Sequence, residues 1–274
     1  MFTKTIKGVS VPSIGLGTFE LVGEAGTAAI RAAIEHGYRH IDTAIRYGNE
    51  REVGDAIRAC GVDRKELFVT TKIWFTDLVP EMVHQRVSES MERLQLDHVD
   101  LLLVHWPSKE VPVGETLAAF AEERAASHTR NIGVSNFPSS LLDEAINVHK
   151  ADLLTNQVEY HPFLAQRQVL PQVREAGMLL TAYLPLARGD VFRNEVLQGI
   201  GRKHGKSAGQ VALRWLVQQD GVGAIPRSSK IEHIKANLDV FDFELDDQEM
   251  QQVFALDRQE RQVDFDWSPQ WDQA

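Results

Sequence analysis

The sequence predicts an α/β protein built as a (β/α)8 barrel of the TIM class, with an N-terminal hairpin and a C-terminal helix plus aromatic tail. Short apolar runs alternate with longer stretches at helical spacing about eight times, the signature of β-α units and a parallel sheet. The run Leu101-Leu102-Leu103-Val104 is apolar on both faces, as a buried parallel strand must be. The chain has 274 residues, and one such barrel takes ~250, so residues 1–274 read as a single barrel domain. An open, doubly wound sheet is the alternative that the alternation alone leaves.

In chain order, residues 3–11 read as a hairpin around Lys7-Gly8, and 14–18 as the first barrel strand. Residues 25–36 carry Ala29, Ile30, Ala33 and Ile34 on one helical face and stop at Gly37. Strand two is 40–44 and its helix 50–60; strand three is 67–73; a helix over 80–96 opens on Pro80, a good first-turn residue. Strand four covers 99–106, and the fourth helix lies within 113–126. The second half follows with strand 131–135, helix 139–148, strand 153–159, a helix within 165–176 and strand 179–184. A helical stretch over 194–219 breaks near Gly205. Strand eight is 223–226, then come helices over 231–237 and 244–256.

Composition narrows the function classes. The chain is 43% hydrophobic, which suits a globular protein. Lys and Arg number 29 against 39 Asp and Glu, a formal charge of −10, which argues against a nucleic-acid or anionic-membrane surface. Cys60 stands alone, so no internal disulfide forms, and a reducing, cytoplasmic setting is expected. It reads as a small structural residue ending a helix before Gly61, with a nucleophile as the alternative. Residues 1–10 lack the apolar core of a secretory signal. No apolar run reaches ~18 residues, so no membrane span is expected. Gly15-Leu16-Gly17 is no dinucleotide fingerprint, because Glu20 falls where the third glycine belongs. It reads instead as a tight turn at the end of strand one.

In a barrel, chemistry gathers at the carboxyl ends of the strands. Asp42, Lys72 and His105 fall at the ends of strands two, three and four, with Tyr47 in the loop after Asp42. Singly, each has a structural reading: a helix cap, an interface residue, a hydrogen-bonded core histidine. A lysine in an apolar run is harder to explain, since lysine is rarely buried unpaired. Together they form a proton-delivery device. A phenol with a pKa near ~10 is a weak acid, and a neighbouring ammonium pulls that value down. Asp42 would position Lys72, and His105 would orient a substrate carbonyl. The set needs a hydride donor, since neither a metal cluster nor a covalent nucleophile is evident.

At these residues the chain resembles the aldo-keto reductase family. The likeness rests on Gly37-Tyr38-Arg39-His40-Ile41-Asp42-Thr43-Ala44 with Tyr47-Gly48-Asn49-Glu50, on Asp100-Leu101 through His105-Trp106-Pro107, and on Gly133-Val134-Ser135-Asn136-Phe137. Asn156-Gln157-Val158-Glu159 and Ile225-Pro226-Arg227-Ser228 follow in order. The resemblance implies Asp42, Tyr47, Lys72 and His105 as the catalytic tetrad, with Tyr47 the general acid. It implies NADPH as the cofactor, its carboxamide held by Ser135, Asn136 and Gln157 and its ring stacked on Tyr183. Thr18, Asp42, Leu186 and Asp190 join that cofactor set, and Arg227 and Ser228 would take the 2′-phosphate through forked hydrogen bonds. His233 and Ala236 stand where the family often has arginine and glutamate, while Asn237 is kept. His233 and Asn237 are therefore expected on the adenosine end, with a looser preference and NADH as a weaker donor. Leu184 replaces the family's usual serine, which implies a different packing of the 188–190 loop.

Phe19, Trp74 and Trp106 match the family's apolar substrate wall. The tail around Trp267 is either a rim over the barrel mouth or a strap on its side. The short loop after His105, the Ser228-Ser229-Lys230 run and the tail resemble bacterial 2,5-diketo-D-gluconate reductases of the B type. That likeness implies small α-dicarbonyls, methylglyoxal and keto-sugar acids as substrates, and a monomer is expected. Two other classes are weighed. A metal-dependent hydrolase on Asp42 and His105 lacks a His-x-His pair. A non-catalytic nucleotide sensor is disfavoured by the complete tetrad.

Overall fold

In the computed structural model, which describes residues 2–272, the chain begins with an antiparallel hairpin, β1 (Thr3–Ile6) and β2 (Val9–Pro12). Lys7 and Gly8 at its tip both have positive φ, the conformation of a two-residue type I′ turn. The Lys7 ammonium donates to the Leu153 carbonyl at 3.0 Å and fastens the hairpin beneath the sheet.

Eight parallel strands follow in sequence order: β3 (Leu16–Gly17), β4 (His40–Asp42), β5 (Phe68–Ile73), β6 (Val99–Val104), β7 (Thr129–Ser135), β8 (Leu153–Glu159), β9 (Leu179–Tyr183) and β10 (Val222–Ala224). The sheet closes on itself through parallel bridges Ile14–Ala224 and Gly17–Arg227, with Gly15 N donating to Ala224 O at 2.9 Å. This is the expected (β/α)8 barrel. Gly15 and Gly17 form no turn; they sit in the closing seam. A Cβ on Gly15 would lie 2.7 Å from His40 Nδ1, and one on Gly17 would lie 3.0 Å from the Ile225 carbonyl. Both glycines therefore answer a demand for close approach.

Strand periodicity sorts the side chains into two cores. Ile41, Val69, Leu102 and Val104 face out and pack under the helices, while Phe68, Leu101, Leu103, Leu154 and Leu179 face in, where Ile6 and Val11 of the hairpin plug the bottom. Along each inward face the chemistry changes with height. Phe68 is followed by Thr70 and Lys72, Leu101 by Leu103 and His105, and His40 by Asp42. The barrel floor is thus apolar and its carboxyl end ionisable.

The covering helices are α1 (Gly23–Glu35), α2 (Glu50–Ala59), α3 (Pro80–Leu94), α4 (Val113–Ala125), α5 (Ser139–Asp143), α6 (Val169–Glu175), α7 (Glu195–His204), α8 (Ala208–Gln218), α9 (Ile231–Leu238) and α10 (Asp247–Phe254). Cys60 ends α2, buried, as a structural thiol. The expected break near Gly205 is present: Gly205 is left-handed at φ 65°, and Ser207 with Gln210 forms a capping box that starts α8. The final helix starts at Asp247 rather than 244, because Asp246 and Glu249 cap it reciprocally. The fifth helix departs from expectation too, widening into a π turn over Glu144–Val148. No helix among the described residues is long and apolar enough to cross a membrane.

Candidate active site

Lys72 lies on the inward face of β5 with no exposed surface. An isolated ammonium there would cost several kcal/mol. It is offset by an ion pair with Asp42 at the end of β4 and by donation to the Thr43 carbonyl at 2.8 Å. The second oxygen of Asp42 accepts from Gln157 Nε2 at 2.7 Å, reaching across from β8. Thr18 donates its hydroxyl to the Asp42 carbonyl at 3.0 Å. The Asp42 carboxylate is thereby held from two other strands, β5 and β8.

Tyr47 arrives on a single 3-10 turn, Ile45–Tyr47, ended by left-handed Gly48. Its ring lies 5.1 Å from the Lys72 ammonium and meets the His105 ring edge-on at 5.6 Å. His105 directly follows β6; its Nδ1 is buried and has no partner among the described residues. The four ionisable residues singled out from the sequence therefore converge at one end of the barrel.

The electrostatics correct one expectation. Burial pushes the Tyr47 phenol above its ordinary value, and the Lys72 ammonium only partly counters it. The net direction is upward, because withdrawing a phenolate from water outweighs one neighbouring cation that Asp42 already neutralises. Burial pulls Lys72 down, yet Asp42 and Tyr47 overcome it and hold the ammonium above the ordinary lysine value. Burial, followed by the charges of Lys72 and Arg46, holds His105 well below the ordinary histidine value, so its imidazole is neutral.

Beside the tetrad lies a polar shelf. Ser135 donates to the Gln157 carbonyl at 2.7 Å. Asn136, at φ 62°, donates to the His105 carbonyl at 2.9 Å and accepts the Tyr183 hydroxyl at 2.7 Å. Tyr183 ends β9 and is half-buried. The donors and acceptors suit a planar carboxamide with an aromatic ring beside it. Arg227 and Ser228 follow β10; the Arg227 guanidinium is exposed and touches Phe19 O at 3.1 Å and Glu20 at 3.8 Å, so its fork is largely open to a phosphate. These groups fit a nicotinamide dinucleotide.

Other expected cofactor residues are placed less directly. Leu186 is half-buried, and Asp190 accepts from Gln262 Nε2 at 3.1 Å. Their loop has positive φ at Leu184, Ala187, Arg188 and Gly189. His233 is exposed on α9, whereas Asn237 is buried and hydrogen-bonded to Tyr38.

The apolar wall is assembled from three loops and the C-terminal tail. Trp74 packs on His105 at 5.0 Å, and Phe19 on Tyr47 at 5.2 Å. Trp267 sits 5.2 Å from Trp74 and 4.8 Å from Trp106, and stacks between Phe75 and Phe265. The tail is therefore a rim over the mouth. Glu159, at the end of β8 and fully buried, accepts the backbone amides of Gln262 at 2.7 Å and Val263 at 2.9 Å. Sequence reasoning missed this tether. The visible signal was a carboxylate in a strand otherwise free of charge.

The sequence pattern of the Aldo/keto reductase family matches residues 13–258. The chain belongs to the aldo/keto reductase family. Members of this family generally use an NAD(P)H cofactor. The chain is 42% identical to "Glyoxal reductase" of Bacillus subtilis (strain 168) over 259 residues, 94% of this chain and 93% of that one. It is 39% identical to "Methylglyoxal reductase DkgB" of Escherichia coli O157:H7 over 268 residues, 96% of this chain and all of that one. Among solved structures, a candidate 2,5-diketo-D-gluconic acid reductase B superposes with TM-score 0.97 at 42% identity, covering 100% of this chain and 98% of the other. The aldo/keto reductase assignment thus spans barrel and mouth alike and supports carbonyl reduction.

Proposed function

We propose that this chain is an NADPH-dependent reductase of aldehydes and ketones, small α-dicarbonyls such as methylglyoxal among them, with Tyr47 as the proton donor. The observation that carries the reading is the Tyr47 phenol set over an ammonium that Asp42 holds in place, next to neutral His105 under an aromatic rim. Keto-sugar acids belong to the same candidate class.

Bound at the shelf, the dinucleotide supplies a hydride to the carbonyl carbon. Ser135, Asn136 and Gln157 would hold the carboxamide, and Tyr183 would stack on the nicotinamide ring. Asp42, Thr18, Leu186 and Asp190 would line the same cofactor site. His105 donates a hydrogen bond to the carbonyl oxygen and fixes its direction. Tyr47 gives its proton to that oxygen as negative charge grows there, and the Lys72 ammonium stabilises the phenolate left behind. Phe19, Trp74, Trp106 and Trp267 exclude water. Arg227 and Ser228 would grip the 2′-phosphate, the basis for NADPH over NADH; His233 and Asn237 would contribute less. Absorbance-monitored consumption of NADPH with methylglyoxal tests the reading. Turnover that disappears in Tyr47→Phe, with cofactor binding retained, is the expected result; full activity in that variant would refute it.

A further inference from the structure

Arg46 immediately precedes Tyr47 in the 3-10 turn and had no role in the sequence reading. Its guanidinium carbon lies 5.4 Å from the centre of the Trp74 ring, and that ring packs on His105. The side chain is exposed and has no carboxylate or hydrogen-bond partner among the described residues. Three acids near the mouth have other neighbours: Glu20 lies 3.8 Å from Arg227, Asp77 pairs with Arg86 at 2.9 Å, and Asp264 accepts the Trp271 indole at 2.9 Å. A chain of charge −10 repels anions at long range. An uncompensated guanidinium, braced on an aromatic wall beside the reacting centre, reverses that locally. Its planar fork matches a carboxylate.

We propose that Arg46 is a specificity-determining residue that anchors a carboxylate on the substrate, so that the preferred carbonyl compounds carry an anionic group away from the reacting carbon. The inference rests on the reductase reading above and names the substrate class of that same site. A carbonyl held between Tyr47 and His105 would extend its far end along Trp74 toward the guanidinium. Bidentate pairing on the tryptophan face, partly shielded from water, gives the anchor its strength.

The test compares 4-carboxybenzaldehyde with 4-nitrobenzaldehyde, both activated aldehydes of similar shape, in the wild-type chain, Arg46→Met and Arg46→Lys. The ratio of kcat/KM for the carboxylate over the nitro compound should fall about tenfold in Arg46→Met, mostly through KM, with Arg46→Lys between the two. Raising ionic strength should erode the wild-type ratio. A ratio unchanged by Arg46→Met overturns the proposal. Absent turnover of the nitro compound in the wild-type chain refutes the reductase reading instead. Calorimetric titration with 4-carboxybenzaldehyde then decides the anchor alone: binding weakened about tenfold by Arg46→Met supports it, and equal binding overturns it.

Discussion

At the base of the barrel mouth, Asp42 and Lys72 stand on neighbouring strands without exposed surface, and each is held by several partners. The roof, residues 262–272, is irregular chain secured by the carboxylates of Glu159 and Asp272, the latter accepting Ser139 N at 3.0 Å. Both regions face the same chamber. One is built from ladder-bonded backbone, the other from aromatic stacking and a few tethers. The contrast separates two tasks: proton delivery needs fixed geometry, whereas substrate choice resides in segments whose change leaves the sheet intact.

The sharpest way to break the comparison is at Tyr47. Tyr47→Phe should lower kcat by about 10²–10⁴-fold while thermal stability stays near that of the wild type. The pH profile sharpens the same point. The phenol sits above its ordinary 10.0, so the donor keeps its proton through neutral pH and the reduction rate should fall only in alkali. His105, already neutral, should add no limb just below pH 6.5. A fall in kcat between pH 7 and 9 would contradict the Tyr47 assignment, and a limb near pH 6.5 the His105 one.

Next comes the buried pair. Lys72→Met strands the Asp42 carboxylate and should cost about 3–5 kcal/mol by denaturant unfolding. Asp42→Leu combined with Lys72→Met should regain most of that stability and none of the activity. Failure to regain stability would mean that the pair is needed for folding itself.

The roof should respond differently. Ending the chain after Arg261, or making Trp267→Ala, should shift relative kcat/KM among several carbonyls by about tenfold, with smaller changes in NADPH affinity. Uniform kinetics would remove the rim from substrate selection. The smallest effect lies at the exposed edge: Arg227→Ala should raise the NADPH Michaelis constant by several-fold, about 1–2 kcal/mol, and the NADH constant far less.

Much of the base was legible in the sequence because its logic is local. Strand ends were marked by apolar runs, and a lysine within Phe68–Ile73 had no structural explanation without a partner. The roof was less legible. Whether Trp267 lay over the mouth or along the barrel side depended on Glu159 meeting Gln262 and Val263, contacts 103 and 104 residues apart in sequence. The direction of the Tyr47 shift was misread because spacing reveals a neighbouring charge but not the depth of burial. Arg46 was overlooked for a similar reason. An arginine before a loop tyrosine looks like ordinary surface until Trp74 is seen beneath it.

Gln157 and Glu159 occupy alternate positions on β8, pointing the same way. The first steadies the carboxylate beneath the chamber, and the second suspends the segment above it. A single strand therefore acts as the gauge of headroom between the two. Any slip of its register would misalign ceiling and foundation together, whereas redesign confined to residues beyond 263 could resize the room at a fixed height.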